Sequence, residues 1–384
     1  MLASLSKAER QHSAALAKVI RTRIADAGGW LPFDTFMELA LYTPGLGYYS
    51  AGAVKLGVGG DFATAPEMTQ LFGQCLARQC HEVLAATGGG ILELGAGTGA
   101  LAATVLETLA ELGTLPEHYS ILEVSADLAA RQRTRLDALP AKLRERVTWI
   151  ERLPAAPLRG VVLANEVLDA LPSARFLVHE TRVRALGVAV DADGAFIERE
   201  GFADEALVRD AEPLVRELVL AQGYRSEVCS RIEPWIAGVG ECLLRGVILL
   251  FDYGLPRTHY YHPQRIDGTL RCHFKQRAHN DPFILVGVQD ISVWVDFTRV
   301  AEAADAAGLG VCGFTTQAAF LLGCGMDELL GTDADEITRA RRAGEAVRLL
   351  LPGEMGEAFK VMALCRDFDQ ALRGFALQDL RASL

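Results

Sequence analysis

The stretch Glu93-Leu94-Gly95-Ala96-Gly97-Thr98-Gly99 decides how this sequence is expected to fold. It follows a short apolar run at 91–94 and precedes a segment at 100–112 with helical periodicity. Glycines between a strand and a helix allow a tight turn and a close approach of the backbone to a ligand. The stretch therefore predicts the first strand–loop–helix unit of a Rossmann-like α/β sheet.

The segments that flank this unit continue its alternation of strand and helix. Further apolar strand patterns, separated by helical patterns, lie at 119–124, 147–150, 160–164 and 246–251. Alternating strands and helices are typical of a mostly parallel sheet with helices on both faces. The alternation breaks at 176–200, where strand patterns surround a hairpin signal at Asp193-Gly194.

We divide the chain into four parts on this basis. They are an N-terminal helical extension with a long glycine-rich loop (1–88), the first part of the core (89–174), an inserted α+β subdomain (175–240) and the second part of the core (241–384). A helical pattern at 66–86 belongs to the first part, and the stretch at 252–290 is expected to be irregular.

Composition excludes several classes of protein. The formal net charge of −11 disfavours nonspecific binding of nucleic acid. No apolar run is long enough for a membrane span, and the N-terminus does not look like a secretory signal. The eight cysteines contain no Cys-x-x-Cys pair, so we expect no metal site and reduced thiols in a cytoplasmic protein. The oligomeric state is left open.

The glycine loop is expected to bind adenosine. Glu123 ends the second predicted strand, where a carboxylate grips the ribose hydroxyls, and Val124 follows it. Gly95 and Gly97 also satisfy a loose dinucleotide pattern, so an oxidoreductase remains an alternative. Glu93 favours S-adenosylmethionine, because its carboxylate suits the donor's ammonium group and would repel a pyrophosphate.

Other candidates lie at the predicted reaction centre. Asn165, Glu166 and Asp169 follow the fourth strand, at the edge of the sheet where ligands bind. The alternative for Asn165 is a helix cap. Thr64 lies just before the helical pattern at 66–86 and Pro66 begins it, so Thr64 suits a helix cap and Pro66 an early helical position.

Several of these stretches resemble the MidA (DUF185-type) family, bacterial relatives of a mitochondrial complex I assembly factor that acts as a protein arginine methyltransferase. The matching stretches are Phe36-Met37-Glu38-Leu39-Ala40-Leu41-Tyr42-Thr43-Pro44-Gly45-Leu46-Gly47-Tyr48-Tyr49, Gly60-Asp61-Phe62-Ala63-Thr64-Ala65-Pro66-Glu67, Leu92-Glu93-Leu94-Gly95-Ala96-Gly97-Thr98-Gly99, Ala164-Asn165-Glu166-Val167-Leu168-Asp169-Ala170-Leu171-Pro172 and Val295-Asp296-Phe297. They lie in family order along nearly the whole chain, and only Val58-Gly59 departs from the expected polar residues.

The resemblance implies a class I methyltransferase fold with a seven-stranded sheet. It also implies S-adenosylmethionine as donor, S-adenosylhomocysteine as product and an arginine of a partner protein as acceptor. Glu166, Asp169 and Asp296 are the candidate catalytic carboxylates, and a helix N-cap is the alternative for Asp296. By the same resemblance, the segment 48–67 is expected to cover the donor, and Thr64 and Pro66 are expected to contact it. A donor-binding assembly or scaffolding protein with little catalysis is the alternative function.

Overall fold

The computed structural model describes residues 5–50, 64–180, 182–331 and 335–384. The N-terminal part forms helix α1 (Lys7–Asp26), the short strand β1 (Leu31–Pro32) and helix α2 (Phe33–Tyr42). Ser6 begins α1 through a capping box. The Ser6 hydroxyl accepts a hydrogen bond from the Glu9 backbone N–H, and the Glu9 carboxylate accepts one from the Ser6 backbone N–H.

The next two helices are α3 (Ala65–Met68) and α4 (Gln70–Thr87). The prediction of a single helix at 66–86 is wrong, because the helix is interrupted at Thr69. Thr69 is extended, with a φ of −161°, and its hydroxyl accepts the Leu71 N–H at 3.2 Å. Thr69 therefore begins α4 as an N-cap and separates it from α3.

The first part of the core follows the predicted alternation. Its elements are β2 (Gly90–Leu94), α5 (Ala100–Glu111), β3 (Tyr119–Leu122), α6 (Ala126–Leu136), α7 (Ala141–Arg144), β4 (Val147–Ile150) and β5 (Leu158–Asn165). Every residue of β2 is buried, as expected for a central strand that is covered on both faces.

An antiparallel sheet forms the inserted block. Its elements are β6 (Ala174–His179), β7 (Arg182–Val190), β8 (Phe196–Gly201), α8 (Glu205–Glu217), β9 (Arg225–Val228) and α9 (Ile232–Glu241). The strand order is β1-β7-β6-β9, and β8 pairs with β7. The β7–β8 turn lies at the predicted hairpin signal, where Asp191 accepts the N–H groups of Asp193 and Ala195.

The remaining elements complete the core and add a small sheet. They are β10 (Leu243–Leu255), α10 (Arg257–Tyr260), β11 (Arg271–Phe274), β12 (Arg277–His279), β13 (Asp290–Ser292), β14 (Val295–Asp296), α11 (Phe297–Ala306), β15 (Gly310–Thr316), α12 (Gln317–Gly323), α13 (Met326–Gly331), α14 (Glu336–Leu350), α15 (Met355–Ala358) and β16 (Phe359–Arg366). The stretch at 252–290, expected to be irregular, contains β11 and β12, which form a three-stranded antiparallel sheet with β13.

The central sheet has the predicted seven strands, in the order β15-β16-β10-β5-β2-β3-β4, and the two residues of β14 pair beside β10. Strands β10, β5, β2, β3 and β4 run parallel, whereas β16 is antiparallel to both of its neighbours. The chain order reverses between β2 and β5. In sheets of this kind, ligands bind beyond the carboxyl ends of the strands at that reversal.

Hydrophobic clusters cover both faces of the central sheet, and a separate cluster joins the N-terminal helices to the inserted block. This separate cluster brings Phe36 of α2 together with Phe176 of β6 and Leu214 of α8. The N-terminal extension therefore packs on the inserted subdomain, beside the edge of the sheet that carries the reversal.

Two of the eight cysteines form a disulfide. Cys312 on β15 is bonded to Cys365 on the neighbouring strand β16. The expectation that all eight cysteines are thiols is therefore wrong for this pair. Within the described residues, no helix combines the length and apolarity that a membrane span requires.

Candidate active site

A cavity of about 470 Å³ lies at the reversal between β2 and β5. Sheet register explains its position. Leu94 of β2 pairs with Ala164 of β5, and Asn165 pairs with Phe251 of β10. The glycine loop and the Asn165–Glu166 pair therefore leave the sheet side by side. The cavity is lined by ten of the predicted site residues: Thr64, Pro66, Glu93, Gly95, Gly97, Glu123, Val124, Asn165, Glu166 and Asp169.

The glycine loop has the conformation that its sequence predicts. Gly95, Gly97 and Gly99 all have positive φ angles, of 68°, 53° and 84°. This region of backbone conformation is accessible to glycine at little cost and strains other residues. Gly99 occupies the N-cap of α5 without a side-chain cap. The first N–H groups of α5 are therefore left for a ligand or water.

Gln132 connects the glycine loop to Glu123. Its side-chain amide donates to the Gly97 carbonyl at 3.0 Å and to the Glu123 carboxylate at 2.9 Å, and its oxygen accepts from the Trp149 indole at 2.9 Å. Glu123 also accepts the Ser125 N–H at 2.8 Å. The sequence did not indicate Gln132, because its neighbours do not distinguish a glutamine that supports a binding site from any other glutamine on a helix.

Glu93 is almost completely buried, with 3% of its surface exposed, and it accepts the Tyr119 hydroxyl at 2.8 Å. Burial raises the pKa of Glu93 to about 7, and the charge of Glu123 contributes to the increase. A positive group of a ligand at this position would favour the ionised carboxylate. Glu93 is thus suited to bind the ammonium group of S-adenosylmethionine.

Helix α3 brings Thr64 and Pro66 to the cavity. Thr64 occupies the N-cap position but makes no side-chain cap bond, so capping does not account for it. Glu67 accepts the Thr98 hydroxyl of the glycine loop and lies 3.4 Å from Arg135 of α6. These contacts hold α3 against the glycine loop. The predicted donor cover at 48–67 includes residues 51–63, which lie outside the described residues.

Glu166 has an unusual backbone conformation. Its φ is 55°, its N–H donates to the Phe251 carbonyl at 2.8 Å, and its Oε1 accepts from the Asn165 amide at 3.0 Å. Its Oε2 is buried and has no hydrogen-bond partner within the described residues. Burial raises the pKa of Glu166 well above its usual range, and Asp169 and Asp290 raise it further. The structure therefore holds a carboxylate with a free acceptor at the predicted reaction centre.

Asp169 is 6% exposed and is supported by Asp252, a residue that the sequence analysis missed. The Asp252 carboxylate accepts the backbone N–H groups of Leu168 and Asp169, at 2.8 and 3.2 Å. Burial raises the pKa of Asp169 well above its usual range, and the charges of Asp252 and Asp290 add to the increase. Asp252 thus fixes the turn that carries Asp169.

Tyrosines from the N-terminal part complete this end of the cavity. Tyr42 and Tyr49 stack with their ring centroids 5.6 Å apart, and both line the cavity. The Tyr42 hydroxyl donates to the Ala170 carbonyl at 2.9 Å. Tyr49 therefore lies at the cavity, whereas the adjacent Tyr48 is only 1% exposed and packs in the core.

The cavity is rich in carboxyl groups, and a bound cation would favour their ionised form. Its described lining contains six carboxylates and no lysine, arginine or histidine: the carboxylates are Glu67, Glu93, Glu123, Glu166, Asp169 and Asp290. A cavity of this kind favours positively charged ligands. S-adenosylmethionine, whose sulfonium and ammonium groups are both positive, fits these residues better than a pyrophosphate does.

Asp296 is the predicted site residue that the structure does not bring to the cavity. Its Oδ1 caps α11 by accepting the N–H groups of Thr298 and Arg299, and its Oδ2 lies 3.2 Å from Nε of Arg257. These contacts correspond to the N-cap alternative. Asp290, which precedes Asp296 by six residues, lines the cavity instead.

Comparisons with known proteins identify the family of this chain. The model of a family described as S-adenosyl-L-methionine-dependent methyltransferases matches residues 75–315. The Drosophila melanogaster protein named protein arginine methyltransferase NDUFAF7 homolog, mitochondrial, is 30% identical, over 94% of this chain and 86% of its own. The Danio rerio protein named protein arginine methyltransferase NDUFAF7 is 28% identical, over 94% of this chain and 87% of its own.

A solved structure extends the similarity to the whole fold. The crystal structure of a Burkholderia thailandensis homologue bound to S-adenosyl-homocysteine is 40% identical, covers both chains completely and has a TM-score of 0.95. S-adenosylhomocysteine is the product left by the methyl donor, so this homologue favours the methyl donor over the dinucleotide alternative. This chain belongs to the MidA family of S-adenosylmethionine-dependent methyltransferases.

Proposed function

We propose that this methyltransferase acts on an arginine side chain of a partner protein. The observation that carries the proposal is the anionic end of the cavity, where Glu166, Asp169 and Asp290 meet and the described lining offers no cation. The guanidinium group stays protonated at any working pH, and burying it requires paired carboxylates. The relatives named as protein arginine methyltransferases support the same choice.

An anionic cavity also disfavours the principal competing nitrogen acceptor. A lysine amine accepts a methyl group only after it loses its proton. Nearby carboxylates raise the pKa of an amine and so keep it protonated. The guanidinium differs, because it is cationic both before and after methylation and need not lose its charge in order to react. The surrounding charges therefore favour arginine.

We assign the donor to the glycine-loop end and the acceptor to the Glu166 end. Glu93 would bind the ammonium group of S-adenosylmethionine, and Glu123 would bind its ribose. Gly97 would let the backbone approach the donor closely. The bound donor supplies a methyl group, so that one N–C bond forms, one S–C bond breaks and the acceptor nitrogen loses one proton. Glu166 Oε2, to which none of the described residues donates, would orient that nitrogen and take its proton.

The first prediction tests Glu166. Glu166→Gln should slow methylation by about two to three orders of magnitude, because it removes an electrostatic contact to the acceptor and the proton acceptor. Affinity for S-adenosylhomocysteine should change little. Labelled donor, cell lysate and mass spectrometry of the labelled protein would measure the rate and locate the methyl group.

Glu180→Gln is the matched control, since Glu180 also has a positive φ (59°) but is exposed outside the cavity lining. This control should remain fully active. Label found only on lysine, on carboxyl groups or on small molecules would refute the arginine acceptor. Donor binding without transfer to any protein would favour the assembly or scaffolding alternative.

A further inference from the structure

Asp290 reaches the reaction centre from a different part of the chain than Glu166 and Asp169. It is the first residue of β13, it is 5% exposed, and it lines the same cavity. Its charge contributes to the raised pKa values of both Glu166 and Asp169, as expected for carboxylates in close proximity. A backbone bond of 3.0 Å from Val293 N–H to the Asp169 carbonyl joins the two segments.

Tyr49 fixes the Asp290 side chain. Its hydroxyl donates to Asp290 Oδ1 at 2.9 Å. Burial raises the pKa of Tyr49 well above its usual range, and Asp290 and Asp169 raise it further. Tyr49 therefore keeps its proton and acts as a donor to Asp290. The Tyr49 ring stacks on Tyr42, whose hydroxyl donates a hydrogen bond to the Ala170 carbonyl. These contacts connect Tyr49 to the turn that carries Asp169.

One basic group faces Asp290 from β11. His273 Nδ1 lies 4.0 Å from Asp290 Oδ2. Burial and the charge of Arg271 lower the pKa of His273, so that its imidazole is neutral near pH 7. A neutral imidazole at this position adds no positive charge beside Asp290.

We propose that Asp290, held by Tyr49, is a specificity-determining residue that pairs with the charge of the acceptor's guanidinium. This inference rests on the proposed function, and it adds a second carboxylate from a separate element. A guanidinium presents five N–H donors on a planar fork and is suited to two carboxylates at different edges. An ammonium, a compact point charge, gains less from such a pair. Glu166 then takes the proton, and Asp290 remains the counter-ion.

The second prediction tests this pairing without the partner protein. Nα-acetyl-L-arginine amide is titrated into the protein saturated with S-adenosylhomocysteine, and binding is followed by NMR. Asp290→Asn should weaken binding by at least about tenfold, because it removes a charged hydrogen-bond acceptor. Tyr49→Phe should weaken binding less, and Nα-acetyl-L-lysine amide should bind more weakly than the arginine probe to the unmodified protein.

Asp281→Asn is the control, because Asp281 is exposed on the segment that leads to β13 and lies outside the cavity. It should bind the probe normally, and all three variants should bind S-adenosylhomocysteine normally. Equal probe affinity in Asp290→Asn and the unmodified protein would overturn the inference. Failure of the unmodified protein to bind the probe across the millimolar range would also overturn it. The location of label on the partner tests the arginine acceptor separately, so the two failures are distinguishable.

Discussion

Glu166 combines backbone strain with a side-chain oxygen that has no hydrogen-bond partner in the described part of the chain. A glutamate with a φ of 55° costs free energy of order 1–3 kcal/mol, and such strain persists only where the surroundings impose it. The bond from its N–H to Phe251 and the amide of Asn165 impose it here. A buried carboxylate oxygen without a donor adds a further cost. Both costs are understandable at a position that must meet an acceptor rather than stabilise the fold.

Glu123 is the residue for which the sequence argument and the structure can be tested most directly. Gln132 and Ser125 orient its carboxylate at the donor end of the cavity. Glu123→Ala should weaken S-adenosylhomocysteine binding by about 1.5–3 kcal/mol, the value of hydrogen bonds to a charged group. Isothermal titration calorimetry would measure the loss.

The control for Glu123→Ala is Glu151→Ala, because Glu151 is exposed directly after the neighbouring strand β4. This variant should bind as the unmodified protein does. Unchanged affinity in a folded Glu123→Ala protein would show that Glu123 does not hold the ribose.

At the scale of elements, strands that continue the strand–helix alternation could be predicted from the sequence, including the four-residue β3 and β4, and the small separate sheet could not. Strand β5 and helix α5 follow from periodicity because they bury most of their residues. Strands β11 to β13 have three or four residues each and lie outside that alternation, so no flanking helical pattern marks them. Asp290 therefore could not be placed, since its position beside Glu166 depends on this small sheet. Glu166 itself could be placed, because it follows a predicted strand.

Helix α8 ends in a strained residue that offers a test of stability. Val219 has a φ of 52° and is 83% exposed, and the following Leu220 donates its N–H to the Val215 carbonyl at 3.1 Å. This is a Schellman motif, which usually places glycine where Val219 lies. Val219→Gly should raise the free energy of unfolding by about 0.5–1 kcal/mol, because it relieves the left-handed strain. Urea denaturation would measure the change.

Val219→Ala separates the two sources of this strain. It removes the branched side chain but keeps Cβ, so it should give a smaller gain than Val219→Gly. Methyltransferase activity should not change in either variant, since Val219 lies outside the cavity lining. A loss of stability in Val219→Gly would mean that chain entropy outweighs the strain.

At the scale of the whole molecule, the buried carboxylates make the stability of the ligand-free protein depend on pH. Burial raises the pKa of Glu93 to about 7, from 4.5 in an unfolded chain. Burial also raises the pKa values of Glu166, Asp169 and Asp252. A carboxyl group with a raised pKa in the folded state binds more protons there than in the unfolded chain. For Glu93, this contribution to the free energy of unfolding is fully present below pH 4.5 and is lost as the pH rises through the pKa of the folded state.

The fifth prediction isolates the contribution of Glu93. Glu93→Gln retains an oxygen that can accept the Tyr119 hydroxyl, but it has no charge to bury. Relative to this variant, the unmodified protein should lose about 3 kcal/mol of unfolding free energy as the pH rises from about 4.5 to above 7. Thermal unfolding across this range would measure the difference in Tm, and Glu117→Gln, an exposed carboxyl group, should parallel the unmodified protein. A constant difference between Glu93→Gln and the unmodified protein would mean that Glu93 ionises normally in the fold. A difference that grows with pH would mean that the free cavity resists ionisation of Glu93 until a positively charged ligand enters.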